Sequence, residues 1–304
     1  MRNRARAARA ATNISRYLLC LGFLLWTGPA TAAAVTDDTG TEIRLAEPAG
    51  RIISLSPHLT ELVFAAGAGD RLTGVVSYSD YPPPARDIPR VGDAHSFDIE
   101  RILARKPDLV LAWQSGNPAG QVRHLQQLQL PVYISEPRTF EDIAATIEDL
   151  GTLAGTPAIA AAAAQDFRQR LAALEQKYSG REPVSVFYQI WHEPLITIGG
   201  GHIIDEVIHL CGGRNVFSDI GQLAPRISIE AVLTAAPEVI IAGGSHDERP
   251  AWLNNWRQWP QLPAVRHEQL YLIHPDLLQR HSPRLLEGAA ELCRILEQAR
   301  TKSE

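Results

Sequence analysis

The stretch Asp98-Ile-Glu-Arg-Ile-Leu-Ala-Arg-Lys-Pro-Asp-Leu-Val-Leu-Ala-Trp113 returns later in the chain as Ser228-Ile-Glu-Ala-Val-Leu-Thr-Ala-Ala-Pro-Glu-Val-Ile-Ile-Ala-Gly243. Each copy reads as one helix followed by one strand. Asp98 and Ser228 suit an N-cap, and each is followed two positions on by an acid, Glu100 or Glu230, that the positive end of a helix favours. Pro107 and Pro237 stop the helices. The apolar runs 109–112 and 239–242 then read as strands buried on both faces. Two copies are too few for a solenoid, so the pattern predicts a duplicated chain with two similar α/β lobes and a cleft between them.

Working outward, strands at 51–55, 72–76 and 132–136 alternate with helices starting at Ser56-Pro57 and at 121. The second half repeats the order, with strands at 185–190 and 269–273, a helix over 203–210 and a last helix over 282–299. Such alternation predicts mostly parallel sheets of the Rossmann kind. Residues 140–177 are almost continuous helix-forming sequence with a break at Gly155-Thr-Pro157, which predicts a long rigid connector and little closure on ligand binding. The division expected is 1–33 signal peptide, 40–137 first lobe, 138–180 connecting helix and 181–304 second lobe, with 51–300 forming the binding domain as a whole.

The N-terminus carries Arg2, Arg4, Arg6, Arg9 and Arg16, then an apolar run over 17–26 and the small residues Ala30-Thr31-Ala32. This is the pattern of an export signal cut near Ala32 to Ala34, the run being well short of the roughly 20 residues that span a bilayer. Leu19 before Cys20 argues against a lipid-anchored cysteine. The whole chain of 304 residues has a net charge of -5. Loss of five arginines and no acids takes it from -5 to -10, which argues against nucleic acid or an anionic membrane as partner. Two cysteines then remain, Cys211 and Cys293, an even pair in an oxidising compartment, for which we expect a disulfide; two separate buried thiols are the alternative.

Several motifs narrow the reading. The run Ile52-Ile-Ser-Leu-Ser-Pro57 with Thr60-Glu61, then Val76-Ser-Tyr-Ser-Asp-Tyr-Pro-Pro83, Lys106-Pro-Asp-Leu109, Ala112-Trp113, Cys211-Gly-Gly213 with Asn215, and Ser282-Pro-Arg284 resembles the helical-backbone Fe/B12 periplasmic binding protein family. Within that family the chain is most similar to the members that take cobalamin; others take haem or ferric siderophores. The resemblance implies a non-enzymatic, monomeric periplasmic carrier that delivers cobalamin (vitamin B12) or a related corrinoid to the permease dimer of an ABC importer, with no cofactor of its own. It assigns ligand contacts to Tyr78 and Trp113 in the first lobe and to Asp276 and Arg280 in the second. Glu100 and Glu230 match the two acids that dock on the permease, the reading favoured here; dipole stabilisation of two helix starts is the alternative that needs no partner. The chain departs from the cobalamin pattern at Ala94 and Ala224, where tryptophans are expected, leaving His95, Phe97 or Trp191 to fill the space.

A corrin is a broad apolar plate edged with amides, so aromatic faces plus a few polar groups suit it. Haem remains the alternative, because His58, His95, His192, His274 and His281 stand in loops or helix starts. None has the spacing of a zinc carrier, and no direct metal site is expected. An enzyme is the third reading. Gly199-Gly-Gly201 imitates a phosphate loop, but Ile204 stands where a dinucleotide fingerprint needs a small residue, and no nucleophile elbow or Walker lysine occurs.

Overall fold

A computed structural model describes residues 33–243 and 251–303. The first lobe holds four strands, β1 (Ile52–Ser54), β2 (Leu72–Val75), β3 (Leu109–Trp113) and β4 (Val132–Ser135), and the second four more, β5 (Val184–Gln189), β6 (Gly213–Asn215), β7 (Val239–Ala242) and β8 (Leu270–Leu272). Both sheets are parallel throughout, in the orders β2-β1-β3-β4 and β6-β5-β7-β8. Numbered within its own lobe, each order is 2-1-3-4, so the duplication seen in the repeated stretch extends to the topology. Seven of the eight strands are wholly or mainly buried, as parallel strands covered on both faces must be.

Helices cover those faces. In the first lobe they are α1 (Pro57–Ala65), α2 (Ile99–Ala104) and α3 (Ala119–Gln127); α4 (Phe140–Ala154) and α5 (Pro157–Tyr178) follow. The second lobe has α6 (Ile203–Leu210), α7 (Ile229–Ala235), α8 (Pro275–Leu278) and α9 (Leu285–Ser303). The two repeated stretches form α2–β3 and α7–β7, with the Asp98 and Ser228 side chains accepting from the N–H groups of Arg101 and Ala231. Ser56 differs from its expected role. It precedes Pro57 and α1 but caps no backbone N–H, because its hydroxyl is bonded to the His58 ring at 2.6 Å.

The connector is a helical hairpin rather than one rod. The chain turns at Gly155-Thr156, so that α4 packs on the first lobe and α5 folds back along it to reach α6 and α9 of the second. The 22 residues of α5 span roughly 33 Å. One continuous apolar cluster runs from Leu62 and Leu111 through Ile147, Ala160 and Phe167 to Val186 and Leu296, so the lobes share a core as well as a tether. Smaller clusters close the other face of each sheet, around Ile53 and Phe97 in the first lobe and around Phe187 and Trp256 in the second.

The export signal read in the N-terminus lies outside the described residues except at Ala33, which opens an antiparallel ribbon of Ala33–Thr36 with Glu42–Leu45. Cys211, ending α6, is bonded to Cys293 within α9, with Cα atoms 4.5 Å apart and a sequence separation of 82. Both cysteines are fully buried. The bond closes a long loop inside one lobe, which in the chain-entropy account stabilises by about 4–5 kcal/mol. We therefore expect the Cys211→Ala/Cys293→Ala protein to lose about 4 kcal/mol of unfolding free energy in urea melts. Reductant should lower the wild type towards the same value and leave the variant unchanged.

Candidate ligand-binding cleft

All parallel strands of one lobe end on the same side, and ligands of open α/β sheets bind beyond those carboxyl ends. A cavity of about 750 Å³ opens there between the lobes. Its first-lobe wall comes from residues that follow β1 and β2, Ser56 to His58 and Ser77-Tyr78, and from Trp113 at the end of β3. A tight hairpin, Gly92–Asp93 paired with Ser96–Phe97, adds the turn at Ala94 and His95. The second-lobe wall follows β8 and consists of Pro275, Asp276, Gln279 and Arg280.

Local forces place each group. Trp113 is anchored through its backbone N–H, which donates to Asn117 Oδ1 at 2.6 Å, while the Asn117 amide donates to the carbonyls of Leu55 and Ala94 at 2.9 and 2.8 Å. One buried asparagine thus joins the ends of β1 and β3 to the cavity hairpin. The indole lies against Gly116 so closely that a Cβ there would sit 1.8 Å from its ring, so only glycine leaves it room. Tyr78 is 67% exposed and holds φ 64°, a left-handed conformation uncommon for a tyrosine, so its ring stands in the cleft. The same loop turns Asp80 and Tyr81 the other way, towards Arg280 and Arg284.

Under the cavity lies an ion cluster that crosses between lobes. Glu61 on α1 is 4% exposed, and its carboxylate accepts from Arg280 (3.0 Å), Ser282 (2.6 Å) and Arg284 (3.0 and 2.7 Å), all from the second lobe. Arg280 also meets Asp80 at 2.8 Å and Asp276 at 2.8 Å. Removing one member of so buried a group would strand the others at a cost of about 3–5 kcal/mol. Arg280 therefore lines the cavity as part of a clasp and is not an idle cation awaiting an anion. With Arg280 and Arg284 counted against Glu61, Asp80 and Asp276, the cluster carries a formal charge of -1.

The histidines separate into different roles. His95 lines the cavity, while His192 stacks on Trp252 at 5.5 Å and His274 accepts from the Asp276 N–H at the start of α8. His58 and His281 are buried beside Trp113, and His202 packs edge-on against His281 at 5.5 Å. Burial, with Arg280 nearby, lowers His58 to about 3, and burial lowers His202 to about 4. Burial and the two neighbouring rings hold His281 well below the ordinary value. Among the described residues no group of three His, Cys, Asp or Glu side chains is placed to hold a metal ion.

The other expected residues fall as follows. Ala94 lines the cavity, Ala224 is exposed next to Pro225, whose carbonyl accepts from Thr197, and Phe97 is packed in the first-lobe core. Trp191 is 47% exposed on a short hairpin of Trp191–His192 with Leu195–Ile196 and is not among the cavity walls. Glu100 and Glu230 are exposed in the first turns of α2 and α7. Gly199 and Gly200 pass so close to the carbonyls of Gln222 and Ser218 that Cβ atoms would lie 2.1 Å from them, so the glycines serve a backbone crossing. Sequence reasoning passed over Asn117 and the clasp role of Glu61, Ser282 and Arg284, although Glu61 and Ser282-Pro-Arg284 stand in the motifs quoted above.

Residues 52–277 match the model of the family described as periplasmic binding protein. The chain is a periplasmic binding protein. It is 42% identical over 251 residues to the vitamin B12-binding protein of Vibrio cholerae serotype O1, covering 82% of this chain and 90% of that one. It is 40% identical to the vitamin B12-binding protein of Vibrio parahaemolyticus, covering 84% and 92%. The crystal structure of the periplasmic vitamin B12 binding protein of Vibrio cholerae superposes with a TM-score of 0.77 at 42% identity, over 83% of this chain and 98% of that one. A periplasmic heme binding protein of Pseudomonas aeruginosa superposes at 0.69 with 27% identity, over 81% and 91%.

The neutral histidines give this binding protein a pH signature. Between the ordinary value of 6.5 and the folded values of about 3 and 4, the unfolded chain takes up protons that folded His58 and His202 refuse. Stability falls as pH drops through this window, by about 1.4 kcal/mol per pH unit for each such histidine. We expect His58→Leu to flatten the slope of unfolding free energy against pH between 4 and 6 by about one proton, read from urea melts at fixed pH steps.

Proposed function

We propose that this binding protein captures cobalamin or a close corrinoid in the inter-lobe cavity and delivers it to an ATP-driven importer. The reading is carried by one fit: a chain 42% identical to a vitamin B12-binding protein has a cavity with aromatic faces at Tyr78 and Trp113 opposite a mainly polar wall at Asp276 and Gln279. An apolar plate packs on the aromatics, and peripheral amides meet the polar wall. The charge of the clasp supports a neutral ligand over the propionates of haem. Ala94 lowers the first-lobe wall, which suits a corrinoid with added bulk on that side. The protein returns its ligand unchanged, and its N-terminal 33 residues direct export to the periplasm.

Haem is the second reading, favoured by the exposed Tyr78 and His95 at the cavity, each able to supply an axial ligand. Parallel titration of the mature protein with cyanocobalamin, cobinamide and haemin separates the two. We expect both corrinoids to bind with measurable heat and haemin to leave its Soret band unmoved; haemin binding alone would transfer the assignment to haem.

Glu100 and Glu230 occupy the same place in each lobe, exposed beside an N-cap, and the shared core and the clasp keep their separation nearly constant. A fixed pair of like charges suits docking on a symmetric permease dimer. Reversal of both, Glu100→Lys with Glu230→Lys, should abolish stimulation of importer ATPase activity in proteoliposomes while cyanocobalamin affinity stays at the wild-type value. Loss of affinity instead would remove the docking role.

A further inference from the structure

Three ring nitrogens are buried without a hydrogen-bond partner at one spot: Trp113 Nε1, His58 Nε2 and His281 Nδ1. Their rings form a triangle with centroids 5.1, 5.5 and 6.0 Å apart. Trp113 and His58 belong to the first lobe and His281 to the second, so the triangle bridges the seam. Buried polar groups are nearly always bonded, and leaving one unpaired costs about 1–3 kcal/mol. Three orphans together point to a partner that is not part of the chain. Because Trp113 and His58 also line the cavity, that partner arrives from the cleft.

The chemistry of the orphans selects it. An indole N–H only donates, and a neutral imidazole offers one donor and one acceptor. His58 Nδ1 is already bonded to the Ser56 hydroxyl at 2.6 Å, so Nε2 offers a lone pair where Nδ1 donates to that hydroxyl and an N–H where Nδ1 accepts from it. Burial keeps both histidines uncharged. The spot thus asks for a carbonyl oxygen for Trp113 and, at His58, for a neutral group able to donate or to accept. A primary carboxamide supplies both in one planar group. A carboxylate supplies no N–H and would add charge beside a clasp that is already negative.

We propose that Trp113, His58 and His281 form a polar socket in the cleft floor that binds one primary carboxamide of the ligand. The proposal rests on the corrinoid reading above and deepens it: the socket tells amide-edged tetrapyrroles from acid-edged ones.

The test uses the mature protein, cyanocobalamin, and the cyanocobalamin monocarboxylic acids, in each of which one peripheral amide is replaced by an acid. For the wild type we expect one acid isomer to bind about tenfold more weakly than cyanocobalamin. Trp113→Phe should lose about tenfold in cyanocobalamin affinity and no longer single out that isomer, while unliganded stability holds, because the variant deletes an unpaired buried donor. Equal binding of all isomers by the wild type overturns the socket even if Trp113→Phe fails to fold. Unchanged cyanocobalamin affinity in a folded Trp113→Phe protein does the same and leaves the three atoms to water. A wild type that binds neither cyanocobalamin nor any acid isomer removes the corrinoid reading itself and the socket with it, an outcome visible before any variant is made.

Discussion

The carboxylate of Glu61 is the point on which the two lobes turn. It sits on α1 at the base of the first-lobe wall, almost without solvent, and every donor that satisfies it among those described comes from the second lobe. A buried charge tolerates little displacement of its partners, because each lost bond exposes a desolvated ion in a medium of low dielectric. Through Arg280 the constraint passes to Asp276 and Asp80, which puts the polar wall of the cavity in register with the Tyr78 loop. The cleft is therefore held at one width by groups directly beneath it.

Apolar packing makes the same demand over a longer range. The core cluster that runs through α4 and α5 into both sheets gives the lobes no separate interiors to slide apart, and α5 packs against helices on either side. A carrier built this way meets its ligand with a largely formed site, which limits the ordering cost of binding. It also presents its two lobe tips at a nearly constant spacing, as the proposed docking on a dimer would require.

Each lobe solves the same local problem with different side chains. In the first, Asn117 ties the strand ends to the cavity hairpin; in the second, Asn215 at the end of β6 donates to Asp205 and to the Ile198 carbonyl, stitching the sheet to α6. These amides saturate backbone groups that the ends of parallel strands leave unpaired. Their partners lie 10 to 62 residues away, so no window of local sequence displays them.

Sequence alone determined the principal helices and seven of the eight sheet strands in their order, while β6 and the short α8 went unread. Period, prolines and caps located the repeated helix–strand unit, and the even cysteine pair announced the bond between α6 and α9, because these signals are local or combinatorial. The family resemblance named Tyr78, Trp113, Asp276 and Arg280 as a group, and tertiary structure brings them to one cavity. Folding alone decided what that cavity is made of. It made Arg280 a clasp satisfied by Glu61, Asp80 and Asp276, turned the connector back on itself at Gly155, sent Phe97 into the core, and gathered His58, His281 and Trp113 into one buried triangle. Burial and charge pairing are properties of contacts between residues far apart in the chain, and such contacts have no signature until the two lobes close on each other.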